Sequence, residues 1–174
     1  EYQDPADRLA IGRLAGLVDP AAKDVKAGSL PPQTEAALKA LTRQQTAEAV
    51  LNSTELALLK RLAELHRVKI YAFDAGTVPV PDSVPVRLPA ADGNSSRLGD
   101  ALRRVQGEHQ GKLAGVILLT DGRSNAGEDP EISAKALVDQ KPPVPVYAIG
   151  IGESASPRDI ALGNLTAPAM AVRG

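Results

Sequence analysis

Hydrophobic positions along this chain change period several times, and the changes divide it into elements. In residues 5–18, PADRLAIGRLAGLV, Leu9, Leu14, Leu17 and Val18 fall near one face, and Pro5 suits a first helical turn, so a short helix is predicted. Residues 19–32 have no apolar period and are broken by proline and glycine, the pattern of a surface excursion. Helical spacing returns at Pro32 or Gln33 and continues to His66, with Leu56, Leu59, Ala63 and Leu65 as its core stripe. Asn52-Ser53-Thr54-Glu55 offers a cap inside this stretch, which divides it into two helices.

The period then shortens. Val68–Phe73 reads as a strand and Val84–Leu88 as a second, joined across a proline-rich turn as an antiparallel hairpin. Ser96–Gln106 is a helix carrying Leu98, Leu102 and Val105, and 131–139 is another. The unbroken apolar run Gly115–Leu119 predicts a strand buried on both faces, and Val144–Ile149 predicts the next. Helices alternating with apolar strands define an α/β sheet layered by helices. After Gly152 a polar turn leads into a weaker apolar segment, Ile160–Leu165, and a terminal tail.

Composition narrows the chemistry. At 174 residues the chain is the size of one domain with one core. Cysteine is absent, so a metal would be held by oxygen or by the two histidines, His66 and His109. Twenty basic against 21 acidic residues and 2% aromatics argue against a nucleic-acid surface. No apolar run approaches the roughly 20 residues that cross a bilayer, so no membrane insertion is expected. The start at Glu1, without methionine or a basic-apolar leader, suggests a processed or excised piece of a larger protein.

In an open parallel sheet, ligands gather beyond the carboxyl ends of the strands. Asp121 stands there, directly after Val116-Ile-Leu-Leu-Thr120 and before Gly122, which lets the backbone turn away from the carboxylate. Gly115–Asn125 is followed by a helix and by Val144-Pro-Val-Tyr-Ala-Ile-Gly-Ile-Gly152, and is preceded by Gly93-Asn-Ser-Ser-Arg-Leu-Gly-Asp-Ala-Leu102. In this order and spacing, over roughly 60–155, the chain resembles the von Willebrand factor type A family. The resemblance implies a three-layer Rossmann-like α/β fold, with a mostly parallel sheet, one antiparallel edge strand and helices on both faces. The domain spans 1–155 with an insertion at about 19–42, and 156–174 is a terminal segment or linker.

The family's metal-ion-dependent adhesion site joins an Asp-x-Ser-x-Ser loop, a threonine before a helix and an aspartate after the fourth strand. Asp121 matches that aspartate, and Ser96 falls where the threonine stands. Mg2+ or Mn2+ is the implied ion, weak or absent here, because such ions want near-octahedral oxygen shells and the chain has no Asp-x-Ser-x-Ser. Ser96 suits a helix N-cap equally well. The resemblance implies a non-catalytic protein-binding module, with a partner's acidic side chain completing the metal shell, in a larger envelope-associated bacterial protein. It further implies that a strand ending in the missing loop is encoded upstream of Glu1. Without that strand, either Val68–Phe73 pairs directly with Gly115–Thr120 or a segment of another chain inserts between them, forming a homo-oligomer if that chain is a second copy. The tail after Ile160, with Pro168, suits the gap less well.

Other patterns are weaker. Phe73-Asp-Ala-Gly-Thr77 is one residue short of the nucleophile loop of haloacid dehalogenase-like phosphatases, so Asp74 is the basis of an alternative Mg2+-dependent phosphatase. A structural domain with an inactive metal site is the third reading. Gly150–Ala155 fits a loose dinucleotide fingerprint but follows the last strand. His66 and His109 lack helical ligand spacing and read as surface or capping residues. Ser124 has no histidine base in prospect.

Overall fold

A computed structural model describes residues 5–19, 30–90 and 95–151. The expected segment Ile160–Leu165 and the tail lie outside these residues. Six helices and four strands occur among the described residues. The protein is an α/β chain.

The first helix, α1 (Pro5–Leu14), packs with α2 (Pro32–Ala40) around Val18, Leu30 and Leu38, flanked by Leu9, Leu17 and Leu41. The stretch that sequence divides once is divided twice. Thr42 starts α3 (Arg43–Asn52) with a reciprocal capping box: its hydroxyl accepts from Gln45 N–H at 3.1 Å, and its own N–H donates to Gln45 Oε1 at 2.8 Å. Ser53 closes α3, and α4 (Leu58–Ala63) follows. The stripe assigned to this region is corrected in part: Leu65 is 81% exposed and Leu56 and Ala63 are also exposed, whereas Leu59 is half-buried and lines a cavity together with Leu58 and Leu62.

A hairpin forms, but with a different second arm. β1 (Ile70–Phe73) pairs antiparallel with β2 (Thr77–Val80), Ile70 opposite Val80 and Phe73 opposite Thr77. The connection is only three residues because Asp74 closes it: its carboxylate accepts from Gly76 N–H at 2.9 Å, and its N–H donates to Gly76 O at 2.8 Å. Val84–Leu88 is therefore not a strand. Its backbone is satisfied by side chains of α3, with Val86 N–H donating to Asn52 Oδ1 and Leu88 N–H to Glu48 Oε1, each at 2.7 Å.

The second half holds the tighter core. Helix α5 (Leu98–Glu108), strand β3 (Val116–Thr120), helix α6 (Pro130–Val138) and strand β4 (Val146–Gly150) surround Leu102, Ala134, Leu137, Val144 and Val146. Asp129 caps α6 by accepting from Glu131 N–H at 2.8 Å, and Pro130 opens its first turn. β3 and β4 are parallel, with Val116 opposite Val146 and Thr120 opposite Gly150.

The two pairs are separate sheets, and β1 does not pair with β3. Direct closure of the gap is thereby corrected. So is burial of β3 on both faces: Leu118 is buried, yet Ile117 is 40% exposed, and on β4 Tyr147 is 55% exposed. Among the described residues β3 has one neighbouring strand, β4, which leaves its other edge open.

Candidate functional site

The ends of β1 and β3 converge on one loop. Arg97 N–H donates to Asp74 O at 2.9 Å just after β1, while Asn125 N–H, shortly after β3, donates to Ser96 O at 3.1 Å. The two strands therefore run toward the same edge. Asn125 grips Ser96 from both sides, since its Oδ1 also accepts from Ser96 N–H at 2.7 Å, and Ser124 Oγ donates to Ser96 O at 3.2 Å. These bonds anchor Ser96 by its backbone. It is not the helix cap: Arg97 holds the N-cap position of α5 and makes no side-chain cap bond.

Asp121 emerges from β3 at the same edge, with its side chain 19% exposed. One carboxylate oxygen, Oδ1, accepts from Arg123 N–H at 3.0 Å, turning the backbone at Gly122, whose φ of 78° is a left-handed conformation glycine adopts without strain. The other, Oδ2, meets Arg43 from α3 at 2.6 Å and Arg123 Nε at 3.9 Å. Asp121 and Ser96 line the same cavity.

The described residues at this edge bring the carboxylates of Asp74 and Asp121 and the hydroxyls of Ser95, Ser96, Thr120 and Ser124, but Asp74 is engaged by the Gly76 N–H and Arg43 already occupies the outer oxygen of Asp121. A small divalent ion takes near-octahedral oxygen ligands and is repelled by a guanidinium in contact with its main ligand. As arranged, these residues do not fit a Mg2+ or Mn2+ shell, and no group of three or more histidine or acidic residues suited to a metal occurs among the described residues. What they form is an acid–guanidinium pair. Both arginines keep over half of their side-chain surface exposed, at 57% and 56%, so the pair itself adds little stability.

Just behind Ser96 lies a lock that sequence reasoning missed. Gly99 of α5 abuts the backbone of Glu128 and Asp129, and a side chain there would collide with it. Gly127, at φ 81°, lies against Asp100, whose Oδ1 accepts from Glu128 N–H at 2.8 Å. Arg103 closes the contact with bidentate bonds to Glu128 at 2.6 and 2.7 Å, which hold the Glu128 carboxyl below its ordinary pKa and raise that of the guanidinium. Two glycines at the approach of two elements were the available signal. Arg43 gave none, being remote in sequence from Asp121.

At the opposite end of β1, Tyr71 Oη donates to Glu108 at 2.7 Å and lies 2.8 Å from His109 Nε2, with the rings edge-on at 5.9 Å between centroids. Burial first, then the bond to Glu108, raises the Tyr71 pKa. Glu108 is held low chiefly by Arg104, which also donates to Thr77 O. His109 is the C-cap of α5 and His66 is exposed, as expected of capping and surface residues.

No family model matches the chain, and neither a curated protein nor a solved structure does. No helix among the described residues is long and apolar enough to cross a membrane.

Proposed function

We propose that the chain is a von Willebrand factor type A-like, non-catalytic protein-binding module, of three-layer Rossmann-like architecture, that receives a partner's acidic side chain at the edge formed by Asp121, Ser96 and Arg43. The observation that carries this reading is the convergence of the β1 and β3 exits on Ser96, with Asp121 and an exposed Arg43 guanidinium beside it. Arginine reads carboxylates through paired donors, so Arg43 exchanges its bond to Asp121 for one to a partner, and Arg123 flanks it. Mg2+ or Mn2+ reaches Asp121 only by displacing Arg43, which makes a metal role weak. We place the domain in an envelope-associated bacterial protein on its Ala-rich, aromatic-poor composition and on the family resemblance.

Two alternatives are weighed against it. A structural domain with an inactive metal site is supported by the same Arg43–Asp121 contact. A phosphatase using Asp74 is disfavoured because that carboxylate accepts the Gly76 N–H that closes the hairpin. An array of aspartate- and glutamate-bearing peptides, probed with and without Mg2+, tests the proposal alongside turnover of p-nitrophenyl phosphate. Binding that weakens in Arg43→Ala, with no turnover, supports it. Binding indifferent to Arg43, or turnover abolished by Asp74→Asn, overturns it.

A further inference from the structure

We propose that the chain pairs with a second copy of itself across a twofold axis beside Leu65 and His66, with Leu65 and Val84 of each copy entering an apolar hollow of the other. This surface lies at the entrance of β1, the end opposite the Asp121 edge, and does not rest on the reading of that edge.

Two large aliphatic side chains stand out at this end: Leu65 is 81% exposed and Val84 94%. Scattered exposed leucines and valines carry no meaning, but these two border one hollow of about 640 Å³, walled by Leu59, Ala63, Val68, Ile70, Pro81 and Val86. Neither rides on a loose end. Leu65 N–H and His66 N–H both donate to Leu62 O, at 3.2 and 2.9 Å, which carries the helical turn of α4 past its end. Around Val84, Ser83 N–H donates to Pro81 O at 2.8 Å, Lys69 Nζ holds Asp82 at 2.6 Å, and Val86 is buried with its N–H on Asn52 Oδ1. These bonds fix the backbone from which both side chains project.

The patch carries both halves of its own complement. It offers protruding apolar side chains beside a hollow that receives them, and the contact of a twofold dimer needs one surface holding both. Its charges follow the same rule. Glu64 and Arg67 border the hollow and are exposed, and among the described residues neither forms an ion pair. Lys69 and Asp82, also at the hollow in part, satisfy each other within the chain. Antiparallel apposition of Glu64-Leu65-His66-Arg67 with itself sets each Glu64 opposite Arg67 of the second copy, and each Leu65 beside the other His66. A purely acidic or purely basic partner segment would satisfy one of the two charges and leave the other facing its like. A second copy satisfies both.

Pairing takes Leu65 and Val84 of both copies out of water, which supplies the affinity, while the Glu64–Arg67 pairs at the rim set register more than strength. An interface this small falls at the weak end of specific ones, so a dissociation constant on the order of micromolar is expected. Because the Asp121 edge lies at the other end of β1, pairing leaves it uncovered in each copy, and the dimer presents two such edges.

Sedimentation equilibrium of the full chain, over a roughly hundredfold range of concentration spanning the micromolar region, tests the proposal. A monomer–dimer equilibrium is expected. Leu65→Asp should weaken it by at least about tenfold, since it carries a charge into an apolar hollow. Circular dichroism checks that this exposed substitution leaves the fold intact. Glu64→Arg and Arg67→Glu should each weaken self-association several-fold, the double variant should restore it, and the two single variants should associate with each other when mixed. That last result requires the two residues to face each other across copies. A chain that stays monomeric throughout overturns the proposal. So does a dimer indifferent to Leu65→Asp, or one not restored by the charge exchange, because its contact then lies elsewhere. A dimer that forms only after deletion of 153–174 overturns it as well, since the chain's own tail is then the occupant of the hollow.

Discussion

Replacing Gly99 by alanine should destabilise the protein, although alanine is the better helix former. A methyl group at Gly99 would lie 2.6 Å from the carbonyl carbon of Glu128 and closer still to its oxygen, with the Asp129 carbonyl carbon at 3.1 Å. Ordinary carbon contacts fall at roughly 3.5–4.0 Å, so α5 and the loop before α6 must part by about 1 Å. The obstructing atoms are backbone, and no side chain can swing aside. Overpacking of this kind costs about 1–3 kcal/mol. Parting also strains the Asp100 bond to Glu128 N–H, a charge-assisted contact worth about 1.5–3 kcal/mol if lost. Helix propensity returns up to about 1 kcal/mol. The net loss is about 2 kcal/mol or more, a fall in Tm of roughly 5–10 °C for a chain of this length. Gly107 on the same helix is the control, since nothing lies within 4 Å of a side chain there. Gly107→Ala should be neutral or stabilise by about 0.5–1 kcal/mol. Urea denaturation of both variants, followed by circular dichroism, decides the matter. If Gly99→Ala matches Gly107→Ala, the tight approach of α5 to Glu128 is wrong.

Truncating Leu137, fully buried among Leu102, Ala134 and Val146, should cost about 2–5 kcal/mol in the same assay, and a cost below that range would place the core elsewhere. Stability should also fall with acid. Glu108 and Glu128 are both held below their ordinary value of 4.5 in the folded chain, Glu108 by Arg104 and then Tyr71, and Glu128 by Arg103. Their contribution is present above the unfolded value and is lost as pH falls through the folded one, so the decline belongs below about pH 4.5. Arg103→Gln should flatten that acid limb, and an unchanged pH profile would show that the Arg103–Glu128 pair is not formed in solution.

How much was legible in the sequence depended on whether the deciding interaction was local. The helix ending near Glu108, the strand Val116–Thr120 and the helix from Pro130 announce themselves through periodicity, and the Asp129-Pro130 start of α6 through its cap. Thr42 and Gln45 form an equally local capping box that divides a region read as continuous up to Asn52. Val84–Leu88 has strand composition, yet its hydrogen bonds go to Asn52 and Glu48, residues 34 and 40 positions away. No window along the chain registers that competition. The same holds at the edge site: Asp121 and Ser96 stand out by position beside a strand and a helix, whereas Arg43 reaches Asp121 from a helix remote in sequence. The apolar run of β3 predicts burial that only a second neighbouring strand would complete.

The acid–guanidinium pair at Asp121 is the point on which the functional reading turns, and calorimetric titration of the full chain with Mg2+ and Mn2+ tests it most directly. With Arg43 against Oδ2, the wild-type chain should give weak heats or none, and Arg43→Ala should bind the ions more tightly, by roughly tenfold, for removal of one adjacent positive charge at a partly exposed site. Asp121→Asn should abolish whatever binding exists. Submicromolar Mg2+ affinity in the wild-type chain, lost in Asp121→Asn but unchanged in Arg43→Ala, would contradict the account and make the edge a metal site.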